Sequence, residues 1–222
     1  MFTPFAIAGF VLAASYLLGS IPTGYLIVKW LKGVDIRECG SGSTGATNVL
    51  RTAGKLPAIA VLLVDILKGA AAPLLVKALY AIAPTAAMLP PPWQPWLVVF
   101  AGLTAIIGHS RSVWLGFSGG KSVASGLGVL LALEPVVGLG ALGVFLGVLA
   151  IARIVSLGSI LAAISVSALM FLLEQPLPYC LFSVLAGLYV IWRHRSNIQR
   201  LLAGTEPQIG QKLQQEPIQE VE

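Results

Sequence analysis

The sequence predicts an all-α polytopic membrane protein with seven transmembrane helices, some of them short, the N-terminus outside and the C-terminus in the cytoplasm. Three observations carry that expectation. Of 222 residues, 57% are hydrophobic and only 10% charged, against about 25% charged in an ordinary soluble domain, so the chain cannot cover a globular surface with polar groups. Apolar runs recur along it at lengths approaching the roughly 20 residues that a spanning helix needs. The basic residues collect in alternate loops, the bias that orients membrane spans.

The first run, Phe5 to Val28, carries no charge. It is too long for a signal-peptide core and no basic segment precedes it, so it reads as a retained first span. Gly19, Pro22 and Gly24 predict a kink near its end, which neighbouring helices can accommodate. A polar loop from Lys29 to Lys55 follows. The second run, Leu56 to Ala83, contains Asp65 and Lys68, three apart and therefore on one helical face, where they are expected to neutralise each other inside the bundle. Pro84 and the group Pro90, Pro91, Pro92 and Pro95 must interrupt any helix. A third span then begins near Trp93 and Trp96, residue types suited to the membrane interface.

A second polar loop holds His109, Arg111 and Lys121. After it come a short run, Ser122 to Leu133, and longer ones at Pro135 to Ala152, Ile154 to Leu173 and Pro178 to Trp192. By length alone the short run suggests a re-entrant segment. Charge placement favours a full crossing: with seven spans, one side receives Lys29, Lys32, Arg37, Arg51, Lys55, Arg111, Lys121, Arg153, Arg193, Arg195, Arg200 and Lys212, which is 12 of the 14 Lys and Arg residues. The other two, Lys68 and Lys77, lie within the second run. Were the short run only re-entrant, the basic tail would fall outside, against the positive-inside rule. The predicted organisation is one seven-helix membrane domain, residues 1–205, and a polar cytoplasmic tail, residues 206–222.

The net charge of +5 does not point to nucleic acid, because the basic residues stand beside apolar runs, where topology and anionic lipid account for them. Cys39 and Cys180 occupy different contexts and are not expected to pair. No H-x-x-H, C-x-x-C or clustered carboxylate pattern occurs, so a protein-held metal is not expected.

The remaining polar residues fall into motifs on the predicted cytoplasmic side. Gly119-Gly120-Lys121-Ser122 precedes an apolar helix: glycine amides and a helix N-terminus can approach phosphate oxygens, with Lys121 as counter-charge. Such a loop could equally serve tight helix packing. Gly40-Ser41-Gly42-Ser43-Thr44-Gly45-Ala46-Thr47-Asn48 concentrates donors in a chain that otherwise avoids them, and Arg51 can grip an oxyanion with its planar fork. At the end of the last run His194 and Asn197 are three apart, on one face if the helix continues. His109 and His194 are both predicted at one membrane surface, and either can act as acid, base or donor near neutral pH.

Taken together, these motifs resemble those of the bacterial membrane glycerol-3-phosphate acyltransferases that use acyl phosphate as donor. The resemblance rests on Gly40 to Asn48 with Arg51, Asp65-Ile66-Leu67-Lys68-Gly69, Gly108-His109, Gly119 to Ala124, Arg153 with Ser156-Leu157-Gly158-Ser159, and His194 to Ile198 with Arg200, Leu201, Gly204 and Glu206. It implies transfer of a fatty acyl group from acyl phosphate to the 1-hydroxyl of sn-glycerol 3-phosphate, giving lysophosphatidic acid and phosphate, in a bacterial inner or plasma membrane with the site facing the cytoplasm. The implied catalytic residues are Ser41, Arg51, Lys121, His194 and Asn197. Gly40, Gly42, Thr47, Asn48, Gly119, Gly120, Ser122 and Ser156 are implied to hold substrate phosphate. The implied partners are acyl phosphate, glycerol 3-phosphate and membrane lipid, with no cofactor and no obligate protein partner. The chain departs from the family pattern at Ser43, often Asn; at Ser118, often Lys; and at Ser110 to Val113, where a Phe-Pro pair is common. A transporter or flippase for a phosphorylated small molecule or lipid is the alternative, yet the halves of the chain do not repeat as transporters often do.

Overall fold

The computed structural model describes residues 2–82 and 88–211. Ala83, Pro84 and, of the predicted tail, residues 212–222 lie outside the described residues. Ten α-helices are found among those described: α1 Phe2–Ser20, α2 Thr23–Lys32, α3 Ala46–Ala53, α4 Lys55–Ala81, α5 Gln94–Ser110, α6 Val123–Leu133, α7 Pro135–Ala152, α8 Val155–Leu172, α9 Leu177–Arg193 and α10 Arg195–Leu202. Four stretches, Thr3–Lys32, Lys55–Ala81, Pro135–Ala152 and Val155–Leu172, are long and apolar enough to cross a membrane, and Val123–Leu133 and Leu177–Arg193 are shorter apolar helices.

The kink expected in the first run is a full break. Proline has no N–H to continue the ladder, and α1 stops at Ser20 while α2 restarts after Pro22. The new helix is amphipathic: Val28 is wholly buried while Trp30 is 85% exposed. It ends at Gly33, whose φ of +72° supplies the left-handed turn favoured just past a helix.

Cross-helix contacts fix the directions. The rings of Phe5 and Trp93 lie 4.9 Å apart at one end of α1 and α5. At the other end Tyr16 Oη donates to Arg111 O at 2.7 Å and Ser112 Oγ to Ser20 O at 2.6 Å, so the two helices run parallel. They approach closely because Gly19 abuts the Ala105 backbone and Gly108 the Tyr16 backbone, leaving no room for a Cβ. Helices α4 and α6 also run parallel, with Gly69 against Ser125 and Gly128 against Ile66, and Lys77 Nζ donates to the α6 carbonyl of Ala132 at 2.6 Å.

This pairing explains why α6 is short. Its first turn sits against Gly69, about halfway along α4, so the loop before it is sunk into the bundle instead of lying at the end of α4. Pro135 then opens α7 immediately after Glu134. The breaks at Ser20, Ser110, Arg153 and Arg193 bring the polar motifs to one end. Ser110 Oγ and Tyr189 Oη, 2.5 Å apart, join the ends of α5 and α9 there.

The Asp65–Lys68 pair expected from spacing is present at 2.8 Å, with both side chains buried. Lys68 Nζ also donates to Ile21 O at 2.7 Å, so this pair ties α4 to the break between α1 and α2.

Candidate active site

A cavity of about 460 Å³ opens at the polar end and runs down between α4, α6, α7, α8 and α9. Ser41, Thr47, Arg51, Lys121, His194, Asn197 and Ser156 surround its mouth. A second hollow of about 200 Å³ adjoins it, lined by Ser41, Gly42, Ser43, Gly119, Lys121, Arg193, Arg195 and Ser196. Lys121 borders both. The five residues expected to be catalytic are therefore gathered around one opening, although they come from four separate parts of the chain.

Local folding positions each of them. Asn48 at the start of α3 is 1% exposed, and its amide donates to the carbonyls of Ile36, Cys39 and Ser43 at 3.3, 2.9 and 2.9 Å. Its Oδ1 accepts the Ser41 N–H at 3.1 Å. With those bonds made, Asn48 organises the loop that presents Ser41 and has no donor left for a phosphate. Gly40 has φ +54° and lies against Asn48 Oδ1, where a side chain would collide with the clamp. Arg51, one turn into α3, reaches the mouth with its face exposed.

The Gly119–Ser122 loop is held differently from a free amide cradle. The Gly120 N–H donates to His109 O at 3.2 Å, and Ser122 Oγ donates to Ile106 O at 2.8 Å. Arg193 donates to Gly120 O at 3.0 Å. The Gly120 amide and the Ser122 hydroxyl thus fasten the loop to α5 and are spent there, while the Lys121 ammonium borders the cavity as a counter-charge for an anion. His109, read from sequence as an interfacial residue, is only 6% exposed; it faces Asp65 at 3.7 Å and lines the cavity.

The helix does not continue through His194. Helix α9 ends at Arg193 and α10 begins at Arg195, yet the junction still turns both His194 and Asn197 into the cavity. His194 Nδ1 lies 2.8 Å from Val190 O. A carbonyl can only accept, so Nδ1 carries the proton and Nε2 keeps a free lone pair. Burial, helped by the charge of nearby Lys121 and opposed by the Val190 bond, lowers the His194 pKa to about 4, so the ring is neutral at physiological pH.

One carboxylate missing from the sequence-derived set is central. Glu206 accepts from Ser156 Oγ at 2.7 Å, Asn197 Nδ2 at 2.5 Å and Arg200 Nε at 2.7 Å. Asn197 Oδ1 in turn accepts from Lys121 Nζ. Ser156 is therefore engaged with Glu206 as a support of this network. Ile209 N–H donates to Arg153 O at 2.8 Å, so the boundary drawn after Thr205 falls inside a segment that is bonded to the bundle. Burial lowers the Lys121 pKa to about 8; the Glu206 charge acts to raise it, and Arg200, Arg193 and Arg51 act to lower it.

Glu206→Gln is expected to cut kcat/KM about tenfold, the equivalent of roughly 1.4 kcal/mol, close to the lower end of the range for a hydrogen bond to a charged group, because the amide keeps one acceptor oxygen. Losing its charge also lowers the Lys121 pKa, so the alkaline fall in kcat/KM should move to lower pH. A pH profile of the variant that matched wild type on its alkaline side would show that Glu206 does not act on Lys121.

Among the described residues no group of three or more His, Cys, Asp or Glu side chains could hold a metal ion.

Residues 9–204 match the model of a family described as glycerol-3-phosphate acyltransferase. A glycerol-3-phosphate acyltransferase of Crocosphaera subtropica is 59% identical over 212 residues, covering 96% of this chain and 98% of the relative. One of Rippkaea orientalis is 62% identical over 211 residues, covering 95% and 97%. The fold is similar to a crystal structure of PlsY, an integral membrane glycerol 3-phosphate acyltransferase, in its glycerol 3-phosphate form, with a TM-score of 0.81, 40% identity and coverage of 91% of this chain and 96% of that one. The lysophosphatidic acid form gives a TM-score of 0.78 at the same identity, covering 91% and 95%. With this fold and its apolar helices, the chain is an integral membrane protein. It belongs to the glycerol-3-phosphate acyltransferase family.

Proposed function

We propose that the protein transfers a fatty acyl group from acyl phosphate to the 1-hydroxyl of sn-glycerol 3-phosphate, giving lysophosphatidic acid and inorganic phosphate, an early step of phospholipid synthesis. The observation that carries this reading is the junction at Lys121 of two spaces: a deep, mainly apolar cavity and a polar hollow bordered by Arg193 and Arg195. A donor with one greasy chain and one phosphate suits the first, and a second phosphate can reach the same ammonium from the hollow. The solved relatives in glycerol 3-phosphate and lysophosphatidic acid forms support the same substrate and product.

An acyl phosphate is already an activated mixed anhydride, so catalysis needs positioning and charge stabilisation more than a covalent intermediate. Lys121 and Arg51 hold phosphate groups. The lone pair on His194 Nε2 accepts the proton of the 1-hydroxyl as its oxygen attacks the acyl carbon, and the carbon–oxygen bond to phosphate breaks. Arrival of anionic substrates raises the proton affinity of His194. Ser41 and Asn197 orient the groups, and Asn48, Gly40, Gly42, Thr47, Gly119, Gly120, Ser122 and Ser156 shape the loops that present them.

In the bilayer, we place seven crossings, made by α1 with α2, α4, α5, α6, α7, α8 and α9, with the N-terminus outside. The segregation of basic residues supports a site that faces the cytoplasm from the inner or plasma membrane. The test of function is donor dependence: labelled glycerol 3-phosphate is given to purified protein with palmitoyl phosphate, palmitoyl-CoA or no donor. Labelled lysophosphatidic acid is expected with palmitoyl phosphate alone, and product formed equally well from palmitoyl-CoA would refute the donor assignment.

A further inference from the structure

The two ends of the main cavity differ in kind. Leu62 of α4 and Leu146 of α7 line it near the polar end and are 41% and 52% exposed, so this part opens sideways toward lipid. The far end is enclosed. The deepest lining residues there are Leu130, Ala141, Val166 and Phe182, one from each of α6, α7, α8 and α9, and none is more than 8% exposed. The next residues inward on these helices, Leu133, Val137 and Met170 among them, are buried in the core and take no part in the lining.

The wall between mouth and floor is built for a featureless chain. Ala162 and Ala186 leave the bore open, and the two hydroxyls on it are turned back to their own helices: Ser159 Oγ donates to Val155 O at 2.8 Å and Ser183 Oγ to Cys180 O at 2.7 Å. Such hydroxyls offer a passing ligand little polarity. Phe182 is 2% exposed and its ring lies over Gly102 of α5, where an added Cβ would stand 3.4 Å from it.

The depth follows from helix geometry. From His194 to Phe182 along α9 is about 18 Å and from Ser156 to Val166 along α8 about 15 Å, at roughly 1.5 Å rise per residue. A saturated chain with bonds of about 1.5 Å and tetrahedral angles advances about 1.25 Å per carbon, so roughly 12 to 14 carbons lie between mouth and floor.

We propose that the enclosed half of this cavity measures the donor's acyl chain, with Phe182 as the stop that sets the longest chain accommodated straight. This rests on the acyl-transfer reading above and deepens it by naming a determinant of chain length. The experiment uses full-length protein and saturated acyl phosphates of graded length from decanoyl to eicosanoyl, with kcat/KM read for each. Phe182→Leu should move the optimum to longer chains by about two carbons, the length that the shortened side chain frees at about 1.25 Å per carbon. Ala186→Leu narrows the bore one turn, about 6 Å, above the floor, and should move it shorter by about five carbons at about 1.25 Å per carbon. The KM for glycerol 3-phosphate should stay at its wild-type value in both.

Lysophosphatidic acids of the same graded lengths, scored by the rise in Tm they produce, give the ruler without turnover and so separate this inference from the choice of donor. The Ala186→Leu result stands alone if Phe182→Leu fails to fold. An optimum that stays at the wild-type length, in turnover and in Tm alike, overturns the proposal.

Discussion

His194→Ala is expected to lower kcat by about 100-fold or more, the usual worth of a positioned general base, with a smaller change in the KM for glycerol 3-phosphate. The expectation follows from the fixed tautomer: Nδ1 is committed to Val190 O, so the ring offers the cavity a lone pair and not a proton. Burial keeps that lone pair free at physiological pH. Steady-state kinetics with glycerol 3-phosphate as the varied substrate decides the matter. Near-normal turnover with a raised KM would make His194 a binding residue and a substrate phosphate the proton acceptor.

Lys121→Ala is expected to reduce kcat/KM by roughly 100-fold, the upper part of the range of about 1.5 to 3 kcal/mol for charge-assisted hydrogen bonding. The upper part applies because the ammonium borders both hollows and also holds the Asn197 carbonyl. Its depressed pKa gives the wild type a second signature. Lys121 is charged below about pH 8 and neutral above it, so a reaction that needs the cation loses kcat/KM as pH rises through that value. Free-enzyme ionisations govern this parameter. Lys121→Arg keeps its charge at any such pH, and should retain part of the activity while losing the alkaline fall. A fall near pH 8 that persists in Lys121→Arg would assign it to another group.

Much of this was legible in the chain itself, where chemistry is local. Pro22 marked the break after α1 because a missing N–H acts wherever it occurs. The spacing of Asp65 and Lys68 marked their pair because helix periodicity alone brings them together. Charge segregation marked the end of the molecule at which the motifs gather. What escaped depends on tertiary contact. Asn48 looked like one more polar group of a Gly-rich loop, and its role as the clamp appears only when the carbonyls of Ile36, Cys39 and Ser43 converge on it. Gly119 and Gly120 suggested free amides, but packing on His109 uses the Gly120 N–H. Glu206 belongs to the motifs that carry the resemblance, yet it falls in the predicted polar tail and receives no site role from the sequence, since nothing nearby shows that the chain turns back toward Ser156. A signal did exist: it is a lone acid following a basic helix that ends at Gly204.

Direct transfer between two phosphate-bearing substrates is tested most plainly by following phosphate and acyl group together. Purified protein is mixed rapidly with palmitoyl phosphate labelled in both parts, first without and then with glycerol 3-phosphate. No burst of phosphate and no labelled protein should appear before the acceptor is added, and afterwards one phosphate should be released for each lysophosphatidic acid formed. A burst equal to the enzyme concentration, with acyl label on the protein, would contradict direct transfer and put an acyl-enzyme, with Ser41 as the first residue to inspect, in its place.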